Sequence, residues 1–428
     1  MLEDLAAPVK NAIVGGPFGS NLVSKDYVES GVPVIRGQNM GGKWVSGSFV
    51  FVSPEKAEQL QQNKARPGDV VFTQRGTLGQ VSIVPASPYA EYIVSQSQMK
   101  ITLDPNKADA GFIYYLFKSE HQLRYILNSA IQTGVPHTNL GILRKTPVTV
   151  PSLKAQKSIA GMLCALDDRI TLLRETNTSL EAIAQALFKS WFVDFDPVRA
   201  KASGLEPEGM DTATAALFPN SFEESELGWV PRGWGYSTIG QSFILTMGQS
   251  PPGDTYNETG EGLPFYQGRT DFGFRFPTQR VFCKAPTRIA ETGDTLVSVR
   301  APVGDANVAL QRCAIGRGVA GIRHPEGHQS FVFYSIQILK KHFELYNGEG
   351  TVFGSINKKD FQNLPVIQSC DPVLRSFESI VAPLDSAIEL NEQKLRSLTQ
   401  LRDTLLPRLI SGQLRLPEAE EQIETVCA

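Results

Sequence analysis

Two segments of the chain carry apolar residues at alternating spacings of four and three, the pattern of a helix that packs against another helix. The first ladder consists of Ile159, Leu163, Leu166, Ile170, Leu173, Asn177, Leu180, Ala184, Leu187 and Trp191. The second consists of Phe377, Val381, Leu384, Ile388, Asn391, Leu395, Leu398, Arg402, Leu405 and Leu409. Each ladder predicts a helix of about 40 residues, or ~60 Å. Such long, narrow seams favour mutual packing over separate packing on two neighbouring blocks.

The segments that precede the ladders have a different pattern. They are rich in Gly, Pro, aromatic and β-branched residues, as in DVVFTQRG and DTLVSVRAP, which predicts short strands in an irregular α+β block. Each block ends in a short predicted helix, Phe112–Glu120 in the first and Phe331–Leu339 in the second. The stretch Pro197–Pro231, with its Gly, Pro and acidic residues, is predicted to be a linker.

The two halves form an internal repeat. LDDRI at Leu166–Ile170 matches LDSAI at Leu384–Ile388, and GDVVFTQRGTLG at Gly68–Gly79 matches GDTLVSVRAPVG at Gly293–Gly304. Further upstream, GVPVIRGQN matches GLPFYQGRT. We therefore predict an α+β fold with two similar globular blocks, separated by two long helices in an antiparallel coiled coil and related by an internal pseudo-twofold repeat.

The repeat divides the chain into six segments. Their predicted boundaries are 1–150 for the first block, 151–196 for the first long helix, 197–230 for the linker, 231–365 for the second block, 366–415 for the second long helix, and 416–428 for an acidic C-terminal tail.

The formal net charge of −3 does not exclude nucleic acid, because the charge is unevenly distributed. Residues 1–150 and residues 229–364 each hold 14 basic and 11 acidic side chains. The excess of acid lies in the connecting segments and the tail. The two blocks are therefore mildly basic, as a module that contacts DNA phosphates requires.

The composition predicts a cytoplasmic protein. The five cysteines are scattered and form no CxxC pair, which favours reduced thiols over a disulfide or zinc framework. The sequence has no apolar run of 18 residues and no secretory signal pattern, so we expect no membrane association.

Motifs of catalysis are missing from the sequence. It contains neither a GxxxxGK[ST] phosphate loop nor an HExxH metal pair. His324 and His328 are separated by Pro and Gly, which prevent one helix face from presenting both, so no metal site is expected. Trp191 and Trp229 are interpreted as packing anchors. The chain is predicted to be non-catalytic and to bind no cofactor.

The remaining candidates are polar loops beside glycines. RGQN at Arg36–Asn39 and QGRT at Gln267–Thr270 occupy matching places in the repeat. Arg, Gln and Asn pair with base edges, whereas Gly lets the backbone approach a phosphate. Solvated hairpin tips are the alternative interpretation. The candidate DNA-binding residues are Arg36, Gln38, Asn39, Lys43, Arg75, Gln267, Arg269 and Arg300.

Polar residues within the two ladders predict the register of the helix pair. An antiparallel pairing that sets Asn177 opposite Asn391 places Ala184 beside Leu384 and Leu187 beside Val381. A buried amide pair fixes register at some cost in stability. One layer is poor, because Leu166 would meet Arg402, whose charged head would have to reach outward.

The sequence resembles the specificity subunits of type I restriction–modification systems over nearly its whole length. The resemblance rests on the two half-repeats and on the segments that enter and leave the helices. These segments are Leu140–Gln156, Ile356–Val366, Leu187–Phe195 and Leu405–Leu414. The QSCD that follows the second entry departs from the proline-rich form of the family.

The resemblance implies a function. Each block would be a target-recognition domain for one half of a bipartite, asymmetric site in double-stranded DNA, and the helices would set the gap. Two methyltransferase subunits, which use S-adenosylmethionine, and a motor-nuclease subunit, which uses ATP and Mg²⁺, would dock on the chain.

Three alternatives remain open. One is the recognition subunit of a related system that cuts on both sides of its site. Another is a coiled-coil scaffold that binds no DNA, which an electrophoretic shift assay would distinguish. The third is an enzyme with degenerate motifs, which S-adenosylmethionine binding by the isolated chain would favour.

Overall fold

Both ladders form long helices, as predicted. They run over Leu153–Phe192 and Asp371–Ile410, with 40 residues each. The architecture is that of a computed structural model, which describes residues 1–132, 135–226, 228–347 and 354–427. Within those ranges, no helix combines the length and the apolar character that a membrane crossing needs.

The chain divides into two compact units, and each long helix contributes to both. Unit 1 consists of Met1–Leu172 and Lys394–Ala428, and unit 2 consists of Leu173–Gln393. Each unit contains one of the repeated blocks, which are called module 1 (1–150) and module 2 (231–365) from here on.

Module 1 is built on two sheets. The first is antiparallel, with its strands in the order Ile13–Gly15, Gln98–Ile101, Val70–Thr73 and Val81–Ile83. The second follows the order Tyr27–Val28, Val50–Val52, Val32–Ile35, Tyr92–Val94 and Lys64–Ala65, and its third and fourth strands are parallel. The helices are Pro54–Gln59, Ala110–Lys118, Glu120–Ser129 and Leu140–Arg144.

Module 2 repeats this topology. Its four-stranded sheet has the order Ile244–Met247, Val319–Arg323, Thr295–Ser298 and Ala306–Val308. Its five-stranded sheet has the order Tyr256–Asn257, Phe282–Cys283, Leu263–Tyr266, Cys313–Ile315 and Ile289–Ala290. The helices are Ile239–Ser242, Gln329–Ile338, Lys340–Glu344 and Lys358–Gln362. Counted along each module, the strands pair in the same order, which confirms that the two blocks share one strand topology.

The opening of module 2 adds one strand pair, Gly235–Thr238 with Pro365–Gln368. It precedes Ile239, whose backbone N–H donates to Leu364 at 3.0 Å. In module 1 the equivalent bond runs from Leu2 to Thr146, at 2.9 Å. The two bonds are equivalent, and the strand pair Gly235–Thr238 with Pro365–Gln368 lies directly beside the bond of module 2.

The glycine that closes the repeated GD…R…G motif is required by a close approach. Gly79 and Gly304 have φ values of 84° and 97°, a region that side chains other than glycine rarely adopt. A Cβ on Gly79 would lie 2.2 Å from Leu123 Cδ1, and one on Gly304 would lie 2.5 Å from Phe343 Cδ2. The glycine of the motif thus lets a helix pack directly against the backbone, Glu120–Ser129 in module 1 and Lys340–Glu344 in module 2.

The aspartate of the same motif is buried and paired in both modules. In module 1, Lys100 Nζ donates to Asp69 at 3.0 Å. In module 2, Arg323 Nε donates to Asp294 at 2.7 Å. Each aspartate directly precedes a strand, and its cation comes from the neighbouring strand of the sheet, which compensates the buried carboxylate. The role of this repeated residue is therefore structural.

The stretch 197–230 is more ordered than the predicted linker. It contains the helices Asp196–Ala202 and Thr212–Ala216 and a hairpin of Phe222–Ser225 with Gly228–Pro231. Its apolar side chains are buried in the core of unit 2, Val198, Phe218 and Val230 among them. These contacts are tertiary, so the local Gly and Pro content did not reveal them.

One smaller expectation also needs correction. Trp191 is 3% exposed and is a packing anchor, but Trp229 is 66% exposed and is not. The acidic C-terminal segment is helical over Leu416–Cys427, and Ala428 lies outside the described residues. The cysteines whose side chains are described are free thiols, namely Cys164, Cys283, Cys313 and Cys370.

Within unit 2 the two long helices run antiparallel. Asn391 Nδ2 donates to Asn177 Oδ1 at 2.9 Å, so the two amides are neighbours, as the ladders predicted. Farther along, Phe188 meets Phe377 with ring centroids 5.7 Å apart. The partner's number falls as the residue number rises, which defines the direction. The predicted neighbours lie in one apolar cluster, namely Ala184, Leu187, Val381 and Leu384.

Arg402 behaves differently from the expectation that its head reaches outward. Within unit 1 its Nη1 donates to Asp167 Oδ1 at 2.7 Å, and the side chain is 26% exposed. A carboxylate one residue after Leu166 therefore keeps the guanidinium at the helix pair.

Candidate nucleic-acid interface

Two equivalent loops carry most of the candidate residues. In module 1 the loop follows the strand Val32–Ile35 and forms a short 3₁₀ turn at Gly37–Asn39. In module 2 it follows Leu263–Tyr266 and forms a turn at Arg269–Asp271. Each preceding strand belongs to the parallel pair of its sheet. The fold thus presents the two loops at matching places, as the repeat predicted.

Asn39 holds its loop together from the inside. The side chain is 1% exposed, and its Oδ1 accepts from the backbone N–H of Arg36 at 3.0 Å. Its Nδ2 donates to the carbonyls of Ser46 and Ser48, at 3.1 and 3.0 Å. Base contact by Asn39 stays a prediction, and it would require these bonds to open.

The residue equivalent to Asn39 in module 2 is Asp271, one position later than the sequence repeat suggested. Asp271 accepts from the backbone N–H of Gln267 at 2.9 Å, as Asn39 does from Arg36. Its carboxylate also accepts from Arg280. A single inserted residue in the second loop accounts for the shift.

The other loop candidates are more accessible. Gln38 and Gln267 are exposed, while Arg36 is half-buried. Gln38 Nε2 donates to Ser48 O at 3.2 Å, which orients the amide without burying it. Arg269 is paired with the carboxylate of Asp305 and is 46% exposed. Gln38, Gln267 and Arg269 are therefore accessible from solvent.

Arg75 and Arg300 stand at equivalent points of the two modules. Both are exposed, and each forms an isolated backbone bridge, Arg75 with His137 and Arg300 with Ser355. The matching bridges support the pairing made from the sequence. Their contact with DNA remains a prediction.

Lys43 is turned toward the first long helix. Its Nζ lies 2.6 Å from Cys164 Sγ and 5.8 Å from the ring centre of Tyr115, all within unit 1. Cys164 Sγ in turn donates to Asp168 at 3.3 Å. Burial raises the pKa of the Cys164 thiol, so the ammonium faces a neutral sulfur. The predicted DNA contact of Lys43 is untested, but in this conformation its charge faces protein.

The counterpart of Lys43 in module 2 is Arg275, which the sequence did not single out. The carbonyl of Lys43 accepts from Ile83 N–H at 2.7 Å, and that of Arg275 accepts from Val308 N–H at 2.8 Å. Ile83 and Val308 end equivalent strands. The same inserted residue hid the match, because it aligned Lys43 with Phe274.

Arg275 is almost fully enclosed, at 1% exposed. Its Nη1 donates to Asp385 at 2.8 Å and its Nη2 to Tyr334 at 2.9 Å, while the guanidinium lies 4.0 Å from the ring centre of Phe333. Glu181 Oε2 is 4.0 Å away, and burial raises the pKa of that carboxyl. Both long helices of unit 2 therefore supply an acid to one arginine of the module.

The histidines of HPEGH come together without sharing a helix face. Their ring centres are 4.7 Å apart, and His328 Nε2 lies 3.0 Å from Asp371 Oδ1. Glu326, His328 and Asp371 place their ligand atoms within 4.8 Å of one another. Asp371 is also paired with Arg375, whose charge competes with a cation. The expectation of no metal site therefore stays untested.

Comparison with known proteins identifies the relatives of this chain. Residues 20–182 match the sequence model of the type I restriction modification DNA specificity domain. A protein of Methanocaldococcus jannaschii named as the type I restriction enzyme MjaX specificity subunit is 27% identical over 97% of this chain and 93% of its own. The HindI specificity subunit of Haemophilus influenzae is 25% identical over 87% of this chain and 93% of its own.

Over nearly its whole length, the chain is similar to type I specificity subunits. A solved S subunit of a type I restriction-modification system from M. genitalium shares its fold, with a TM-score of 0.63 at 17% identity over 95% of this chain and 94% of that one. Specificity subunits supply the DNA sequence specificity of restriction–modification complexes and are their non-catalytic components. The prediction that this chain is not an enzyme is thereby confirmed.

For this specificity subunit, the sequence located the two polar loops but not Arg275, the buried arginine that contacts both long helices of unit 2. The loops were visible because Gly, Gln and Arg recur at matched positions. Arg275 was not, because a lone arginine between aromatic residues has no sequence signature of burial. Its partner Asp385 did carry a signal, since it lies in the repeated LD segment together with Asp167.

Proposed function

We propose that this specificity subunit reads a bipartite, asymmetric site in double-stranded DNA, with module 1 on one half and module 2 on the other. The observation that carries the proposal is the duplicated topology, in which both modules present a polar loop after the same strand. Gln38 and Gln267 are exposed there, and glutamine offers a paired donor and acceptor to a base edge.

The two long helices act as the spacer between the half-sites. Their 40-residue length and their antiparallel course in unit 2 support this role. In this arrangement two target-recognition domains are separated by an antiparallel coiled coil. Binding of one half-site then raises the effective concentration of the other module at its own half-site.

The partners supply the chemistry in the cytoplasm. Two methyltransferase subunits with S-adenosylmethionine and a motor-nuclease subunit with ATP and Mg²⁺ dock on this chain. Support comes from the family's role and from the sequence, which has no phosphate loop of the GxxxxGK[ST] type.

The deciding experiment maps methylated adenines in the host genome with and without this chain. A two-part motif with a fixed gap should disappear when the chain is deleted and return with the plasmid-borne chain. Duplexes that carry the motif should then shift with the chain bound to its modification subunits. No change in the methylation map, together with no shift, would contradict DNA reading. Cuts on both sides of the motif by the full complex would instead point to the related system.

Residue substitutions test which loop reads which half-site. Arg36→Ala and Gln38→Ala should weaken or alter one half-site, and Gln267→Ala and Arg269→Ala the other, by about 1–3 kcal/mol for a bidentate contact. Gln61→Ala, an exposed glutamine outside the loops, is the matched control. Equal weakening of both half-sites by one loop variant would contradict the assignment.

A further inference from the structure

Each candidate loop ends in a cation that is anchored on a long helix. Lys43 follows Gln38 by five residues, and Arg275 follows Gln267 by eight. The two cations are equivalent through their backbone bonds to Ile83 and Val308. Chain segments this short transmit a displacement of one end to the other.

The two anchors differ in how strictly they fix a geometry. The guanidinium of Arg275 is planar, donates to Asp385 and Tyr334, and stacks on Phe333, so one orientation satisfies all its contacts. The ammonium of Lys43 is a rotatable group on a flexible stem, and it donates to a neutral thiol and lies over the rings of Trp44 and Tyr115, contacts that fix no single orientation. The anchor of module 2 is therefore the stiffer one.

Arg275 also joins its module to both helices of unit 2. Asp385 lies on the second long helix and Glu181 on the first, and their carboxylate oxygens are 2.8 and 4.0 Å from the guanidinium. A rotation of module 2 on the helix pair would pull the arginine away from at least one of these acids. Since the guanidinium is 1% exposed, water would offer it little compensation.

We propose that Arg275, and more weakly Lys43, are positioning residues that fix the DNA-reading loops on the helices and thereby set which gap between half-sites the subunit accepts. The inference rests on the proposed function. It also reassigns Lys43 from a DNA contact to a helix anchor. The gap is a demanding readout, since one added base pair moves a half-site by ~3.4 Å and rotates it by about 35°.

The test uses the full chain bound to its modification subunits and duplexes that carry the methylated motif mapped in the host. The Kd is measured for the native gap, for gaps one base pair longer and shorter, and for each half-site alone. Wild type, Arg275→Lys, Arg275→Met, Lys43→Met and the exposed-cation control Lys284→Met are compared. Circular dichroism reports whether each variant is folded.

Arg275→Lys keeps the charge but not the planar fork, so it carries the test if Arg275→Met fails to fold. We expect it to reduce the preference for the native gap about tenfold, which is ~1.4 kcal/mol, while the Kd of each half-site alone changes less than about threefold. Lys43→Met should reduce the preference less, and Lys284→Met should leave it unchanged.

Two results would overturn the inference. One is a folded Arg275→Lys variant whose gap preference equals that of wild type. The other is an equal loss of affinity for all duplexes, including the half-site of module 2, which would make Arg275 a DNA contact. A wild-type complex that binds no duplex, or shows no gap preference, contradicts the proposed function itself and is recognised before any variant is measured.

Discussion

In both units an equivalent tyrosine of the module donates to an equivalent aspartate of a long helix, and we call this contact the joint. The cation that pairs with the aspartate comes from different elements in the two units. In unit 1, Tyr115 donates to Asp167 at 2.7 Å and the cation is Arg402 of the second long helix. In unit 2, Tyr334 donates to Asp385 at 3.1 Å and the cation is Arg275 of the module.

The difference shows which part of the joint the fold requires. A carboxylate at a packed interface needs a donor and a compensating charge, but the charge can enter from any direction within reach. The tyrosine and aspartate therefore recur, whereas the cation moves. In unit 1 it ties helix to helix, and in unit 2 it ties module to helices.

The largest expected effect on the joint of unit 2 is that of Arg275→Met. The buried guanidinium would be lost and Asp385, whose side chain is 24% exposed, would lose its cation, so we expect unit 2 to lose about 2–4 kcal/mol of unfolding free energy. Trp191 and Trp234 are buried in unit 2, so the urea midpoint of tryptophan fluorescence follows this unit. Lys43→Met should cost less than about 1 kcal/mol in unit 1, because its partner is a thiol.

Lys284→Met is the matched control for this experiment. Lys284 forms an exposed pair with Glu261 in unit 2, and its loss should leave the urea midpoint essentially unchanged. If Arg275→Met lowered the urea midpoint no more than this control, the arginine would not stabilise unit 2 and the comparison of the two units would be wrong.

The second prediction concerns a pH dependence that only unit 2 should show. Burial holds the pKa of His324 at about 4, below its ordinary 6.5, with His328 adding to the effect and Asp371 opposing it. In the unfolded chain His324 binds a proton below about pH 6.5, whereas in the folded chain it does so only near pH 4. Stability therefore falls as the pH falls through this window, by up to roughly 2–3 kcal/mol.

Unit 1 supplies the replacement for this test. Leu103 stands where unit 2 has His324, two residues beyond the equivalent strand positions Ile101 and Ile322. His324→Leu should flatten the pH dependence of the fluorescence midpoint between pH 6.5 and 4. His342→Leu, which changes an exposed histidine, should leave the slope as it is. An unchanged slope in His324→Leu would show that other groups titrate there.

The third prediction concerns a variant of unit 1 in which the cation beside Asp167 comes from position 43 of the module instead of Arg402 of the helix. Arg402→Met should cost about 1–2 kcal/mol, since the pair with Asp167 is only partly buried. Lys43→Arg should recover part of this loss, because position 43 is equivalent to Arg275. The coupling is read from a double-mutant cycle on thermal unfolding by circular dichroism, where additive losses would mean that position 43 cannot reach Asp167.

The sequence predicted the repeated parts of this molecule well and the unrepeated parts poorly. The ladders located both helices, and the amide neighbours followed from heptad spacing. The hairpin and helices in 197–230 were missed, because they are stabilised by burial of residues such as Phe218 in a distant core. Arg275 was missed because one inserted residue shifted the repeat just where the anchor lies.

The smallest expected effect concerns the amide pair of unit 2, whose equivalents on the opposite helix are Leu395 and Leu173. Asn391 Nδ2 donates to Asn177 Oδ1, and Asn177 Nδ2 donates to Glu392 at 3.0 Å. Asn177→Leu or Asn391→Leu alone leaves the other amide facing leucine, at a cost of about 1 kcal/mol. The double variant makes this layer apolar, so it should regain the loss and equal or exceed wild-type stability by up to ~1 kcal/mol.

Urea midpoints of the four proteins measure the coupling between the two amides. Two losses that simply add would mean that the amides contribute independently, and that this hydrogen bond does not distinguish the layer from its leucine equivalent.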